Sequence, residues 1–412
     1  MNKLVMMNKK PKLTLANDAK KKMKDSINFS NKSEIVEINK AESRILSKDI
    51  IAKFNIPEED NSAVDGYALN FKKNNKIFNV VGQSRPSSPY LKTLKTNEAI
   101  KIFTGSNILK KNKINAVVML EDCKILTDSI KIRKKIKINQ NIRKKGEDVQ
   151  KNKVVFLRGR KIRSVDLAQL SSLGLKKVDV YKKIRVGIFS TGSEINQNLK
   201  RKKNYIFDAN KITLISMFKI IGCEAFDLGV IRDNYNETKN KILKNSLKYD
   251  LLVSSGGISN SDTDMIGKIL SSYGKINFWK LAIKPGRPFA FGEINKTPFI
   301  GLPGNPVAAI VTFLMLVVDY VKILSGNRNI KIKKNMISSN FSMTKKSGRR
   351  EWIRGWITEK NNKQFLEKFN TTGSGIISSI SQSDGIIDID EDVKYIKKGK
   401  KLNFIKYEDI LN

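Results

Sequence analysis

The sequence predicts a multidomain α/β protein organised around one parallel sheet. Its 412 residues exceed what a single ordinary core holds, so two to four domains are expected. Between Ile184 and Leu324, short apolar strands alternate with helical segments, which predicts right-handed crossovers and a sheet covered on both faces. Residues 77–180 and the residues after Asn329 instead contain short β-rich runs, so a β-rich region is expected on each side.

Upstream of the α/β region the predicted elements are short. Residues 14–29 are expected to form an amphipathic helix, Glu34–Ile38 a strand and Lys40–Leu46 a second helix. From Ile77 to Val180 the β-rich runs are separated by Gly, Asn, Pro and Lys, which are typical of turns.

Three polar loops in this half carry candidate functional side chains. The loop over residues 56–68 contains four carboxylates, one of them Asp65. Thr104 follows a predicted strand beside a glycine, and Arg143 opens a basic triplet that precedes Asp148. Each loop alone is more typical of an ordinary solvated turn than of a site.

The α/β region itself is the clearest part of the sequence. Its elements are predicted in the order strand Ile184–Phe189, helix capped by Asp208, strand Glu224–Leu228, helix Glu237–Leu247 and a strand that begins at Asp250. Leu214 and Phe218 share one face of the capped helix, which is expected to pack against the sheet.

Polar and glycine residues follow one predicted strand after another. They are Thr191, Gly192, Glu194, Asp233, Gly256, Gly257, Asp264, Lys284 and Gly304. Ligands of open α/β sheets bind beyond the carboxyl ends of the strands, so these residues are expected to converge. The oxygens of Ser259, Asp262 and Asp264 suit a hard divalent cation, and the cations from Lys280 to Arg287 suit phosphate. The helix that starts after Asn305 adds backbone N–H groups, so the pattern indicates a site for a metal-bridged polyanion.

The formal charge of +40 raises the alternative of a nucleic-acid-binding protein. The lysines are scattered over all segments, and no nucleic-acid-binding motif accompanies them. We therefore expect no specific nucleic-acid partner and attribute the charge to a general bias in composition.

The residue inventory excludes several kinds of site and favours the cytoplasm. The sequence has no histidine, which excludes Ser-His-Asp triads and the commoner catalytic zinc sites. Two distant cysteines give no disulfide framework, and the first twelve residues lack a secretory signal pattern. The apolar run Val307–Val318 is too short to span a bilayer and is expected to be a buried core helix.

Seven motifs occur along the chain in an order typical of one family. They are Asp60–Ala68, Phe103–Gly105, Gly146–Asp148, Ser190–Glu194, Ser254–Ser259, Lys284–Pro288 and Leu302–Pro306, and Gly348–Glu351 extends the match. In this order they resemble the molybdopterin molybdenumtransferases, the MoeA and gephyrin E-domain family. The resemblance covers nearly the whole chain, from about Leu13 to its end.

The resemblance implies a fold and a set of domain boundaries. An elongated N-terminal α+β region would comprise residues 1–50 and 150–182, interrupted by an inserted β-rich domain over residues 51–149. A parallel three-layer α/β molybdopterin-binding domain would cover residues 183–326, and a C-terminal β-barrel residues 330–412. The family also implies a homodimer, in which some functional residues reach the site from the second protomer.

The implied activity is the insertion of molybdate into adenylylated molybdopterin with release of AMP, in a reaction that depends on Mg²⁺. The catalytic positions carried over are Asp65, Thr104, Asp148, Glu194, Lys280 and Lys284. The positions expected to bind the substrate are Arg143, Thr191, Gly192, Gly256, Gly257, Ser259, Arg287, Pro303, Gly304, Asn305, Pro306 and Ser374. Glu194, Asp233 and Asp264 are the expected Mg²⁺ ligands.

The roles and partners follow from the same resemblance. Lys280, Lys284 and Arg287 would hold the anions, while Asp65 and Asp148 are both candidates for proton handling or orientation. Transient contact with other cofactor-biosynthesis proteins is expected, and no membrane. Three alternatives stay open: a molybdopterin adenylyltransferase that catalyses the preceding step, a scaffold protein and a nucleic-acid-binding protein.

Overall fold

The computed structural model describes residues 13–29, 32–72, 75–196, 203–258, 265–330, 332–370 and 373–412. Its contacts divide the chain into two compact units. The first comprises Met1–Ser47, Gly159–Arg163 and Val178–Asn412. The second comprises Lys48–Arg158 and Ser164–Lys177. Each unit has buried apolar clusters of its own, so each contains its own core.

The described elements up to residue 182 are short. They are α1 (Ala16–Asp25), β1 (Ser33–Glu37), β2 (Ile50–Ile51), β3 (Asn61–Ser62), β4 (Gly66–Leu69), β5 (Ile77–Ser84), β6 (Glu98–Ile102), β7 (Ala116–Met119), β8 (Cys123–Ile125), β9 (Ser129–Ile132), β10 (Ile142–Arg143), β11 (Val154–Phe156), α2 (Ser164–Ser172) and β12 (Lys177–Tyr181). The helix predicted over residues 14–29 and the strand predicted at Glu34–Ile38 are thus present in shortened form.

The second unit is built on a six-stranded sheet in the order β7-β4-β6-β5-β9-β8. Strand β4 is antiparallel to both β6 and β7, whereas β5 runs parallel to β6. Three of its apolar residues, Leu69, Phe78 and Ile130, are fully buried. The β-rich region expected from the short runs after Ile77 is therefore confirmed.

The helix predicted at Lys40–Leu46 is wrong. A short 3-10 turn occupies Ile38–Lys40, and the next residues form turns and isolated bridges. Ile45 pairs with Lys161 and Leu46 with Val180, both in antiparallel single bridges. Pairing with segments distant in the chain satisfies the backbone here, so the helical spacing of apolar residues gave a misleading signal.

The α/β region contains β13 (Arg185–Thr191), β14 (Ile195–Asn196), β15 (Ile206–Phe207), α3 (Ala209–Ile220), β16 (Glu224–Ile231), α4 (Tyr235–Ser246), β17 (Leu251–Ser255), α5 (Met265–Tyr273), β18 (Gly274–Lys280), β19 (Ile283–Lys284), β20 (Pro288–Ile294), β21 (Thr297–Leu302) and α6 (Pro306–Thr312). The order of its main sheet is β16-β13-β17-β21-β20-β18, and the first four strands are parallel. The predicted sheet of parallel strands connected by helices is confirmed.

One strand near the edge of this sheet, β20, runs opposite to both of its neighbours, which the alternation of strands and helices did not reveal. Strand β20 pairs with β21 across the two-residue turn Asn295-Lys296, and β18 then pairs with β20. Both turn residues have positive φ, 50° and 67°. A turn with positive φ at both residues matches the right-handed twist of the paired strands. It joins β20 directly to β21, without a crossover helix.

A helix that begins at Pro306 follows the last parallel strand. Asn305 is its N-cap, and α6 continues through a π-helical segment, Phe313–Val317, into α7 (Val318–Leu324). The 19 residues Pro306–Leu324 are long and apolar enough to cross a membrane, but 89% of their most apolar stretch is buried inside the protein. This helix is therefore a core helix, as the apolar run predicted.

The C-terminal region forms a closed barrel. Its elements are β22 (Asn335–Ser339), β23 (Met343–Thr344), β24 (Arg350–Lys360), β25 (Lys363–Lys368), α8 (Ser378–Ser381), β26 (Gly385–Ile389), β27 (Tyr395–Ile396), β28 (Lys401–Lys406) and α9 (Tyr407–Leu411). The order β24-β25-β22-β28-β26 closes through the pairing of β26 with β24. Leu366, Ile387 and Phe404 fill its interior. The expected C-terminal barrel is confirmed.

Candidate functional site

A cavity of about 610 Å³ lies where the parallel strands of the first unit end. The residues that line it come from the loops after β13, β17 and β21, from β14 and β15, and from the starts of α3 and α6. The turn between β19 and β20 and two turns of the barrel region supply the rest. The lining residues are Thr191, Glu194, Ile195, Ile206, Phe207, Asp208, Ala209, Asn210, Ser255, Ile258, Ile283, Lys284, Pro285, Gly286, Arg287, Pro288, Pro303, Gly304, Asn305, Pro306, Ala308, Arg349 and Ser374. Of the nine residues predicted to converge at the carboxyl edge of the sheet, Thr191, Glu194, Lys284 and Gly304 line this cavity.

The loop after β13 brings carboxylates to one side of the cavity. Glu194 lines it, and its two carboxylate oxygens lie so close to Gly192 that an added Cβ there would be 2.6 Å from each. Asp233 follows β16 and is exposed. Its Oδ2 accepts the Ser193 N–H at 3.2 Å, while its own N–H donates to Ser193 Oγ at 3.3 Å. Asp233 is thus tied to the Glu194 loop, but it does not line the cavity.

The glycine pair after β17 permits a close approach of two loops. Gly256 and Gly257 have φ values of 86° and 71°, in the region that favours glycine. A Cβ on Gly256 would lie 2.8 Å from the Thr191 carbonyl oxygen, and one on Gly257 would lie 2.7 Å from Thr191 Oγ1. These two glycines are predicted substrate-binding residues, and the structure places them behind Thr191 rather than among the lining residues.

The opposite side of the cavity is cationic. Lys284 and Arg287 flank the proline-glycine turn after β19, and both are exposed. Lys284 Nζ lies 3.7 Å from Glu351 Oε2, with the lysine side chain 45% exposed. Arg349 joins them from the start of the barrel region. We call Lys284, Arg287 and Arg349 the cationic rim.

The sequence did not identify Arg349 as a site residue, because an arginine-rich turn is equally typical of an exposed surface and of a phosphate contact. Its neighbour Arg350 is buried and forms two hydrogen bonds with the Asp388 carboxylate, at 2.6 and 2.8 Å. This anchored arginine fixes the backbone at the start of β24, which places Arg349 at the cavity. Lys280 was predicted to hold anions; it ends β18 and pairs with the lining residue Pro288, but it is not itself among the lining residues.

Ser374 contacts the start of α6. Its carbonyl oxygen accepts the Val307 N–H at 3.2 Å, and its Oγ accepts a hydrogen bond from Asn305 Nδ2 at 3.1 Å. The expectation that this helix start presents only unpaired N–H groups is therefore wrong for Val307. Pro303, Gly304 and Pro306 complete the same wall of the cavity.

Asp208, Asn210 and Ser255 also line the cavity, although the sequence did not single them out as site residues. Asp208 was predicted as a helix cap, and its Oδ1 indeed accepts the Lys211 N–H at 3.0 Å. Asn210 Nδ2 donates to Ser255 Oγ at 2.8 Å and to the Gly304 carbonyl oxygen at 2.7 Å. The available signal was the position of both residues in the first turn of a helix whose N-terminus faces the sheet edge.

The other predicted site residues belong to the second unit. Asp65 Oδ1 accepts hydrogen bonds from the Thr104 N–H at 2.7 Å and from Thr104 Oγ1 at 2.8 Å. These bonds lower the pKa of the exposed Asp65 carboxyl below its usual range. Arg143 Nε donates to Glu147 at 2.9 Å, and Asp148 is exposed beside this pair. Asp65 and Thr104, which are 39 residues apart in the chain, are therefore joined by two hydrogen bonds, a pairing that the sequence did not predict.

The residues that could hold a metal are distributed along the edge of the sheet. Ser259, Asp262 and Asp264 lie outside the described residues. Within the described ranges, no three carboxylate or cysteine side chains are gathered closely enough to hold a metal ion. Glu194 and Asp233 are the described members of the predicted ligand set.

Models of three protein families match the chain. The MoeA N-terminal region (domain I and II) matches residues 15–174, the probable molybdopterin binding domain residues 187–323, and the MoeA C-terminal region (domain IV) residues 338–407. A molybdopterin molybdenumtransferase of Haemophilus influenzae is 33% identical over 97% of this chain and 100% of its own length. The chain belongs to the MoeA family.

Further members of the MoeA family agree with this assignment. A putative molybdopterin biosynthesis protein of Methanocaldococcus jannaschii is 31% identical over 92% of this chain and 93% of its own length. The crystal structure of the molybdopterin biosynthesis MoeA protein of Pyrococcus horikoshii OT3 superposes with a TM-score of 0.84 at 28% identity, covering 96% of this chain and 100% of that one. The family resemblance seen in the motifs is therefore confirmed, and with it a role in molybdenum cofactor biosynthesis. The cavity lies mainly within the residues matched by the molybdopterin binding domain.

Proposed function

We propose that this MoeA-family protein inserts molybdate into adenylylated molybdopterin, releasing AMP. The observation that carries the proposal is the polarity of the cavity: oxygen-bearing side chains line one side, and the cationic rim lines the other. A substrate that joins a neutral pterin to a chain of anionic groups matches such a division. The names of the relatives point to the same transfer.

The cationic rim is suited to the oxyanions of this reaction. Molybdate and the phosphoanhydride both carry negative oxygens, which arginine binds in a fork and lysine as a point charge. Among the described residues, Lys284 forms a long, partly exposed ion pair with Glu351, so its charge stays available for a ligand. We propose that the rim holds molybdate beside the anhydride, in position for transfer.

We also propose that Mg²⁺ takes part, and the donor set fits that ion. The polar side chains around Glu194 offer carboxylate, amide and hydroxyl oxygens, and the cavity lining contains no cysteine. Hard oxygen donors are what Mg²⁺ prefers. Glu194 and Asp233 would hold it, and Asp264 is the third ligand that the sequence predicts. The ion would supply Lewis-acid polarisation of the anhydride.

In the second unit, Thr104 keeps the Asp65 carboxylate ionised. A carboxylate with a lowered pKa is a weak base, so Asp65 suits orientation and charge better than proton uptake. Asp148 is exposed and remains the candidate for proton handling. We further propose a homodimer and a cytoplasmic location; both cysteines are free, which fits a reducing compartment.

A reconstituted reaction tests the proposal. Purified protein, adenylylated molybdopterin, Mg²⁺ and molybdate are expected to yield AMP by chromatography and a cofactor that activates a molybdenum-free apoenzyme. AMP release without activation would remove the transfer step from the proposal. Formation of adenylylated molybdopterin from ATP and molybdopterin would instead identify an adenylyltransferase. Light scattering during elution from a sizing column checks the dimer.

A further inference from the structure

Three buried polar atoms at the cavity wall have no hydrogen-bond partner in the described part of the chain. They are Thr191 Oγ1, Asp208 Oδ2 and Asn210 Oδ1. Thr191 is only 5% exposed and Asn210 only 7%. Buried polar atoms are nearly always hydrogen-bonded in folded proteins. Among the described residues, these three atoms therefore mark a part of the cavity where a ligand can supply the partners.

The orientation of the Asn210 amide is fixed by its neighbours. Its Nδ2 donates to the Gly304 carbonyl oxygen at 2.7 Å and to Ser255 Oγ at 2.8 Å. A carbonyl oxygen can only accept, so the nitrogen of the amide has to face Gly304. The unpartnered atom is thus Oδ1, which is an acceptor and needs a donor from the ligand.

Asp208 presents a second acceptor, two residues before Asn210. Its Oδ1 is used by the helix cap, whereas its Oδ2 lies 3.8 Å from Lys211 Nζ, beyond hydrogen-bond length. Lys211 forms a shorter ion pair, 3.0 Å, with Asp227. The first turn of α3 therefore offers two acceptors and repels any group that carries only acceptors of its own.

We propose that Asp208 and Asn210 recognise the N–H edge of the pterin ring, formed by its 2-amino group and the adjacent ring N–H. This inference rests on the proposed function and adds the orientation in which the substrate binds. The neutral pterin would face the first turn of α3, and the anionic end of the substrate would face the cationic rim. An oxyanion is excluded from the α3 side because its oxygens would meet carboxylate and amide oxygens.

Two small probes separate this edge from the rest of the substrate. 6-Hydroxymethylpterin carries the 2-amino group, and 6-hydroxymethyllumazine carries a carbonyl oxygen in its place. The protein is expected to bind the pterin about 10- to 100-fold more tightly, since the lumazine turns one donor into an acceptor facing Asp208. Isothermal titration calorimetry on the full-length protein gives both constants.

Asp208→Asn is the matched variant. The amide oxygen keeps the helix cap, so the nitrogen takes the place of Oδ2 and faces the ligand with donors. We expect the preference for the pterin to fall at least tenfold, or to reverse, while molybdate binding stays within twofold. Asp227→Asn is the control, because it removes a carboxylate from the same Lys211 without touching the cavity. Thermal unfolding of both variants checks that the fold is retained.

The binding and activity results together distinguish the assignment of the pterin edge from the proposed function. Equal binding of the two probes by the wild type, or an unchanged preference in Asp208→Asn, would overturn the assignment of the edge even if the protein transfers molybdenum. A strong preference that Asp208→Asn abolishes, in a protein inactive in the reconstituted reaction, would support the edge and reject the proposed function. A loss of pterin preference in Asp227→Asn equal to that in Asp208→Asn would show a general charge effect and also overturn the assignment.

Discussion

The cavity wall of the first unit and the Asp65–Thr104 pair of the second unit hold polar groups in opposite states. At the wall, Asn210 is buried, and its side-chain amide oxygen Oδ1 lacks a partner among the described residues. In the second unit, Asp65 is exposed and already accepts two hydrogen bonds from Thr104. The polar groups at the wall lack hydrogen-bond partners until a ligand binds, whereas the hydrogen bonds between Asp65 and Thr104 form without a ligand. Substitutions at the wall should therefore change ligand affinity. Substitutions in the Asp65–Thr104 pair should change the ionisation of Asp65 or the reaction rate.

The largest effect is expected for Lys284→Ala on the cationic rim. Removal of one preorganised charge from a transfer site costs roughly 10²–10³ in rate, so kcat/KM should fall by about that factor. Lys346→Ala is the control, because Lys346 is exposed in the turn before Arg349 but does not line the cavity. The reconstituted AMP-release assay measures both. Turnover within twofold of wild type in Lys284→Ala would remove this lysine from the anion site.

A smaller loss, about 10²-fold, is expected for Asp65→Ala, which removes the acceptor for both Thr104 donors. Because Asp65 is exposed, the fold should tolerate the change, and the melting temperature should stay within a few degrees. Asp128→Ala, at another exposed carboxylate of the same unit, is expected to keep full activity. If the two variants lose activity equally, Asp65 has no special role.

Thr104→Val should move the pH dependence rather than abolish activity. The Thr104 hydrogen bonds lower the pKa of Asp65, so the carboxylate stays ionised to lower pH than usual. Loss of the hydroxyl bond raises that pKa again, and the acidic limb of the kcat/KM profile should shift upward, by less than about one pH unit. Thr104→Ser keeps the hydroxyl and should retain the wild-type limb. An unchanged limb in Thr104→Val would show that Asp65 does not set it.

The smallest catalytic effect is expected for a buried polar group that already has a partner. Lys322 is 7% exposed, its Nζ donates to the Ile410 carbonyl oxygen at 2.8 Å, and burial lowers its pKa to about 8. In the unfolded chain the lysine keeps its proton up to about pH 10.4, so folded stability should rise as the pH rises from 8 toward that value.

Lys322→Met should remove this rise and leave kcat unchanged. Between pH 8 and pH 9.5 the wild type should gain up to about 2 kcal/mol of unfolding free energy relative to the variant, measured by urea unfolding. Lys401→Met, on an exposed lysine of β28, is the control and should follow the wild type. If the unfolding free energies of the wild type and Lys322→Met depend on pH in the same way, the lowered pKa of Lys322 is rejected.

The sequence predicted the parts of this fold that depend on local pattern. Strands β13, β16 and β17, the Asp208 cap and the buried helix after Asn305 each carry a periodicity or a capping residue that is visible in one stretch of chain. The hairpin of β20 and β21 was less visible, because Asn295-Lys296 adopts positive φ without a glycine. The bridges of Ile45 and Leu46 depend on segments far along the chain, which no local pattern contains.

The site shows the same division. Glu194 and Asn305 lie just after the parallel strands β13 and β21, so their convergence could be predicted from the rule for open α/β sheets. Lys284 instead ends β19, which pairs with β24 of the barrel sheet. Asn210 could not be predicted, because its role depends on Ser255 and Gly304, which reach it only in the folded chain. Lys280 ends β18 beside the lining residue Pro288 but does not itself line the cavity, a distinction that no local pattern in the sequence contains.

The π-helical segment Phe313–Val317 has a consequence for how this chain can change in length. A π turn holds one more residue than an α turn, so it absorbs one residue that would otherwise rotate everything downstream by about 100°. Deleting one residue there should therefore give a regular α-helix in which Tyr320 and Leu324 still face the apolar interior. A further residue inserted at the same point has no such turn to absorb it, so this helix should tolerate the loss of one residue better than the gain of one.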